Sequence, residues 1–514
     1  MKCKALICAA VLASPAGADP RFTPVIAPDH IYGGGWEHFV GGGVAVLDCD
    51  HDKRPDLFVA GGADPAQLMR NSSTIGGGIS FEQAQATSDP IRGVSGAYPI
   101  DMDSDGWADL VVLRVGENLL LKGGADCQFT PFDDLSFQDI PAWTTAFSAR
   151  WEQGQSLPTL AFGNYVDRNN PEGPFEACDV NYLYRPEGET YAPPIPLTPG
   201  YCPLSMLFSD WSRNGQADLR ISNDRHYYVS NGHEQLLRMG PTPRFYGADD
   251  GWVDHKLWGM GIASRDLTGD GLPEVMMTSM GDQRLQIHEG PATEPRFTDA
   301  PYSLGTTAQR PFTGGDGRPS TGWHVEFGDV QNDGRDDIFI AKGNVEQMPG
   351  LAMKDPNNLL VQGADGTFVE RSESAGLASL MRGRGAALAD LNLDGLLDVV
   401  VVNRRAPFEV YQNVTSDTGH WTGVRLVQNG ANPDAIGAWV EVKSGDVLHS
   451  REITIGGGHA GGQLGLIHFG LGAKDQFSIR VIWPDGAKSD WLELAGDRYY
   501  TITRASGALN AAPY

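Results

Sequence analysis

Asp48, Asp50, Asp52 and Asp56 occupy positions 1, 3, 5 and 9 of one short segment. A tight loop can turn alternate side chains inward, and such a set of hard oxygens suits Ca²⁺, which takes about six to eight oxygens at roughly 2.3–2.6 Å. The spacing returns at Asp101, Asp103, Asp105 and Asp109, and at Asp266, Thr268, Asp270 and Glu274. It returns again at Asp329, Gln331, Asp333 and Asp337, and at Asp390, Asn392, Asp394 and Asp398. A sixth copy, Asp210, Ser212, Asn214 and Asp218, keeps the spacing with neutral oxygens inside. Position 7, held by Arg54, Trp107, Gln216, Leu272, Arg335 and Leu396, offers its backbone carbonyl. Position 6 is glycine in every copy but the first, which has Lys53, and glycine permits the sharp turn.

One such loop is weak evidence, because Asp and Gly are ordinary turn formers. Six in one context are not. Each lies between short apolar runs, such as 57–59, 110–112 and 399–402, and neither flank reads as a long amphipathic helix. This argues against a helix-flanked calcium hand and places the loops at strand-to-strand turns. About six structural Ca²⁺ ions follow as the expected cofactor.

A seventh unit has the same strand–loop–strand pattern with Trp151, Gln153, Gln155 and Thr159 at the ligand positions, so it is expected to bind no calcium. The loops then begin at 48, 101, 151, 210, 266, 329 and 390, a spacing of about 50–63 residues that suits four short strands each. The expected fold is all-β: a seven-bladed β-propeller over residues 19–416, followed by a small β-rich domain. Residues 35–415 resemble the FG-GAP/VCBS repeats of the integrin-α type of propeller, which carry this loop between blade strands.

Beyond Asn413 the loops stop. Alternating runs at 420–427 and 435–442 are followed by Gly456-Gly457-Gly458-His459, by His468-Phe469-Gly470-Leu471-Gly472, and by Trp483-Pro484-Asp485-Gly486. Residues 417–505 are similar to the ASPIC/UnbV domain, leaving 506–514 as a tail. The order of the two parts is similar to the cartilage acidic protein family, without its EGF-like module. That resemblance implies calcium binding and an extracellular setting, but no reaction. His459 and His468 read as structural residues at strand ends.

Composition narrows the rest. A formal charge of −26 argues against nucleic acid and anionic membranes as partners. Residues 1–18 read as a signal peptide: Lys2 and Lys4, an apolar stretch, then Ala16-Gly17-Ala18. No later stretch approaches the length of a membrane span. A secreted monomer is expected, with Cys49, Cys127, Cys178 and Cys202 left to pair; Cys178 with Cys202 is the favoured pair, and the sequence does not fix connectivity. The expected role is an extracellular module binding a protein or glycan ligand. The alternative is a calcium-dependent propeller hydrolase or lyase acting on glycans or other polyanions, although no GxSxG or HExxH motif is present. A ligand rim would draw on Trp143, Lys256, Trp258, Trp323, His324, Arg382 and Arg384, which stand at comparable repeat positions and otherwise pack between blades. Asn71-Ser72-Ser73 and Asn413-Val414-Thr415 match the N-glycosylation sequon.

Overall fold

The computed structural model describes residues 17–224, 229, 231–505 and 508–514. Residues 1–16 of the expected signal peptide, with Cys3 and Cys8, lie outside the described residues.

Among the described residues, 22–413 form seven antiparallel sheets of four short strands each, with one further two-stranded hairpin, Pro186–Glu187 with Thr190–Tyr191. Two neighbouring sheets are joined where Ala142 and Trp143 pair with Gly116 and Val115. The inner strands are Val44–Leu47, Val94–Ile100, Ala142–Arg150, Pro203–Ser209, Gly259–Arg265, Gly322–Gly328 and Gly383–Ala389. Each touches the next, and the last touches the first, so the sheets are arranged as a ring. Phe22–Val25 pairs antiparallel with Glu409–Asn413, so the chain's first strand completes its last sheet. This pairing covers an edge that would otherwise be open.

The strand sequences explain the layers. The second strand of each sheet is covered on both faces and reads as a nearly continuous apolar run; Asp398–Asn403, with four consecutive valines, is buried throughout. Inner strands are instead rich in Gly, Ala and Ser, because they crowd toward the axis. Six of them carry a register shift near their start, for example between Gly383 and Ala386. Such bulges sharpen the twist where the strand turns toward the axis.

The C-terminal part is a sandwich of two four-stranded sheets around a core that includes Val440, Phe469, Ile479 and Ile502. Residues 509–513 of the expected tail form a strand. Leu509–Pro513 pairs with Arg498–Arg504, and Leu509 is buried in the sandwich core, so the strand is held by both ladder and packing. The two disulfides join Cys49 to Cys127, tying the first acidic loop to the second sheet, and Cys178 to Cys202.

One segment of this sandwich leaves it. Residues 455–465, a glycine-rich finger, run into the axis of the ring. Ile455, Gly456, Gly458, Gly461 and Gln463 form backbone bridges to Ala149, Leu207, Ile262, Ala97 and Val46, which lie on five different inner strands. The His459 N–H donates to Nδ1 of His324 (3.1 Å), and Gln463 Nε2 donates to the Leu388 carbonyl (3.1 Å), adding the remaining two. The glycines are steric requirements. A Cβ on Gly43 would stand 1.7 Å from the Ala460 carbonyl oxygen, and one on Gly96 would stand 2.0 Å from it.

Candidate metal centre

Each acidic loop leads from the end of an inner strand to the first residue of the next, and that first residue is position 9. The backbone fixes positions 1 and 9 in the same way from loop to loop. The position-1 carboxylate accepts the position-6 N–H: Gly106 to Asp101 (3.0 Å), Gly271 to Asp266 (3.0 Å), Gly334 to Asp329 (2.7 Å), and Lys53 to Asp48 (3.0 Å). The position-9 carboxylate accepts the position-2 N–H with one oxygen, as Met102 to Asp109 (2.8 Å). With the other it accepts an N–H at the end of the third strand, as Gly123 to Asp109 (2.7 Å) and Asn413 to Asp398 (2.8 Å).

Position 6 has a left-handed backbone in all six loops, including Lys53 (φ 77°). Position 4 is left-handed too, at His51, Ser104, Arg213, Gly269, Asn332 and Leu393. The sequence pattern misses this second turn residue, because no common side chain marks it. For Leu393 (φ 55°) the conformation is a genuine strain, which the loop's other bonds must hold.

The donor set fits a hard cation. One oxygen each from Asp48, Asp50 and Asp56 lie within 4.8 Å of one another, and the same holds for Asp101, Asp103 and Asp109. Buried oxygens at the inward positions have no hydrogen-bond partner among the described residues: Asp48 Oδ1, Asp103 Oδ1, Gln331 Oε1 and Asn392 Oδ1. A buried unpaired acceptor is costly unless something cationic meets it. Burial also raises the carboxyl groups, Asp56, Asp101, Glu274 and Asp390 to about 7, Asp109 to about 8 and Asp266 to about 6. Asp329, Asp337 and Asp398 are pushed well above the carboxylate range, again chiefly by burial. Protein cations meet part of this charge: Arg70 pairs with Asp50, Lys122 with Asp103 and Asp105, and the position-7 side chains Arg54 and Arg335 with Asp52 and Asp333.

Two units differ. Around Asp210 the carboxylate of Asp218 is saturated, one oxygen accepting from Trp211 Nε1 (3.0 Å) and Tyr246 Oη (2.8 Å), the other from the Met239 N–H (2.8 Å). At Trp151 a protein-borne cation stands beside the loop. Arg185 pairs with both oxygens of Glu152 (2.7 and 3.0 Å), and Thr159 Oγ1 donates to the same carboxylate (2.8 Å).

The sandwich sits on this loop face. Tyr499 Oη donates to Asp390, Arg213 pairs with Glu441 (2.7 Å) and Arg451 with Asp336 (2.6 Å). His468 Nε2 lies 3.1 Å from the Gly395 carbonyl. At the opposite mouth, several residues expected at an open rim are interior. Trp143, Trp323 and Arg384 are fully buried and His324 nearly so, because the finger tip fills the axis beneath them. His459 reaches that far: its Nε2 accepts from Gly41 N–H (3.2 Å), its ring packs on Trp323 (5.1 Å), and burial lowers it to about 3. Lys256 is exposed, while Trp258 and Arg382 are half-buried. Both sequon asparagines are buried as well. Nδ2 of Asn71 donates to Leu391 O (2.8 Å) and that of Asn413 to Val330 O (2.8 Å), each tying its sheet to the acidic loop of the preceding one. Neither can carry a glycan in this fold.

Residues 48–112 and 266–340 match the FG-GAP-like repeat family, and residues 428–509 match the family described as ASPIC and UnbV. The chain is therefore an FG-GAP-repeat β-propeller protein with a C-terminal ASPIC/UnbV domain. It is related to cartilage acidic protein 1. The Mus musculus and Homo sapiens proteins are each 26% identical to it over 509 residues, spanning 91% of this chain and 74% and 73% of theirs. Among solved structures, BBS1N in complex with ARL6DN covers 76% of this chain and 96% of its own at 7% identity, with a TM-score of 0.43. A likeness that distant carries no argument about function. Among the described residues no helix is long and apolar enough to cross a membrane.

Proposed function

We propose that the protein is a secreted calcium-binding module whose ions are structural and whose exposed faces bind an extracellular protein. The observation that carries the calcium reading is the repeated placement of buried, unpartnered oxygens at the inward positions of loops whose carboxylates are already raised by burial. The loops beginning at Asp48, Asp101, Asp266, Asp329 and Asp390 hold the ions. The loop at Asp210 is the weakest, because one oxygen of Asp218 accepts two side-chain donors, Trp211 and Tyr246, where Asp109 and Asp398 accept a single N–H on each oxygen. Bound calcium would supply positive charge to these oxygens and would cross-link the start of one strand to the turn before it. Two disulfides support an oxidising compartment.

An ion that binds only the folded state stabilises it by about 2.7 kcal/mol per site at a hundred times its dissociation constant. Thermal melting in millimolar calcium and in excess chelator tests the proposal. The expected result is a midpoint higher by roughly ten degrees or more in calcium, on the scale of a few degrees per kcal/mol. Coincident melts would sink it.

A further inference from the structure

At the mouth opposite the metal loops, positive charge is concentrated in a chain that is otherwise acidic. Glu346 is the carboxylate shared by Arg404 (2.6 Å), Arg405 (2.7 Å) and Arg382 (3.4 Å). Directly beneath, Arg384 is fully buried over the Trp323 ring (4.0 Å) and bonded to the carbonyls of Phe39 (2.9 Å) and Val345. Among the described residues Arg384 has no ion-pair partner. One carboxylate thus faces four guanidinium groups in a protein of formal charge −26. The excess is not mobile surface charge: Arg404 and Arg405 bond to the carbonyl of Gly34 (3.2 and 2.9 Å), so the loops around 34–39, 344–353, 380–384 and 403–405 are held together.

The same interlocked loops leave large apolar side chains in solvent. Met348 is 40% exposed, Leu380 45%, Met381 46% and Trp36 39%. Single exposed apolar residues need no explanation, but several on neighbouring loops around a fixed cationic centre mark an interaction surface. Methionine suits such a surface because its unbranched chain repacks against different partners.

We propose that this face docks a segment of a partner protein that is acidic and carries large apolar side chains. The charge selects for carboxylates, and Arg405 and Arg382, with side chains 48% and 29% exposed, are the groups within a partner's reach. A sulfated glycan would answer the guanidinium groups and leave the methionines and Leu380 uncovered; a peptide bearing Asp or Glu beside Leu or Phe covers both. The inference rests on reading the chain as a binding module.

The test is selection of a random short-peptide phage library on the full-length protein in calcium. The recovered peptides are then synthesised and titrated against the wild-type protein, Arg405→Glu and Met381→Ser. The expected result is a pool enriched in acidic and large apolar residues. Binding should weaken about tenfold or more in Arg405→Glu and measurably in Met381→Ser. Met381→Ser should keep the wild-type melting midpoint in calcium, and Arg405→Glu, which loses its half-exposed pair with Glu346, should still melt in one cooperative step with a drop of a few degrees at most, which shows that both fold. A pool without acidic enrichment, or peptides that bind Arg405→Glu undiminished, overturns it. So does a heparin oligosaccharide that displaces the peptides while binding Met381→Ser normally. A calcium-shifted melt without peptide binding sinks this inference alone, whereas peptide binding without a calcium shift sinks the metal reading alone.

Discussion

Asp101 and Asp218 are the same residue type at the first and ninth positions of two loops with the same spacing, yet their surroundings assign them different work. Asp101 accepts the N–H groups of Asp105 and Gly106 and lies beside the buried, unpartnered Oδ1 atom of half-buried Asp103. Asp218 spends its oxygens on Trp211, Tyr246 and Met239. Asp101→Asn is therefore expected to remove one calcium from the stoichiometry found by isothermal titration and to lower the melting midpoint in calcium. Asp218→Asn leaves the stoichiometry unchanged and destabilises by about 1–3 kcal/mol with or without calcium, through its broken hydrogen bonds. Equal losses of calcium in both variants would show that spacing alone decides ligation. The inward positions of the loop were legible in the sequence because the loop is short and its alternation fixes which side chains turn inward. What decides whether an oxygen is free was not, since Tyr246 and Met239 come from other strands. The sequons misled for a similar reason: Asn71 and Asn413 satisfy the motif, but their amides bond to a neighbouring sheet that the motif does not see.

Among the elements, the finger does most to change what the ring can do. An open axis is where a ligand would be sought in a propeller, and here a backbone segment bonded to the inner strands fills it. Gly456, Gly457 and Gly458 were visible as a run that no strand would tolerate, but nothing local shows that the run leaves its own domain. Nor could the glycines of the inner strands be assigned to it, because a glycine in a strand has several readings. Gly43→Val tests the arrangement, since even a Cβ there would meet the Ala460 carbonyl oxygen at 1.7 Å. The expected outcome is a loss of about 3 kcal/mol or more in chemical denaturation, above the usual range for overpacking because backbone and not a side chain must move. New proteolytic cleavage within 455–465 is expected with it. A variant as stable and as protease-resistant as wild type would mean that the finger is not held in the axis. Gly78→Ala is the control, with nothing within 4 Å of the added carbon.

For the whole molecule, the net charge and the buried carboxylates act in the same direction, and pH separates them from calcium. In the metal-free fold, burial raises Asp56, Asp101 and Asp390 to about 7 and Asp109 to about 8. The folded state therefore holds these protons more tightly than the unfolded chain, whose carboxyl groups titrate near 4. Their contribution to stability is present below that unfolded value and is lost as pH rises through the folded ones. The chelated protein is expected to lose stability steadily between about pH 4 and pH 8, the reverse of a protein stabilised by paired surface carboxylates. Repulsion among the exposed acidic residues adds to the loss, but salt screens it, whereas the buried contribution is screened much less. Denaturation midpoints of the chelated protein across this range, at low and at high sodium chloride, therefore separate the two. On the proposed calcium reading the ion would replace the protons at these oxygens, so the loaded protein should stay level to about pH 8 and weaken only toward acid pH, where protons compete with the ion. Chelated protein that gains stability from about pH 5 to pH 8 would contradict the buried, uncompensated state of these loops, and with it the reason for placing calcium there.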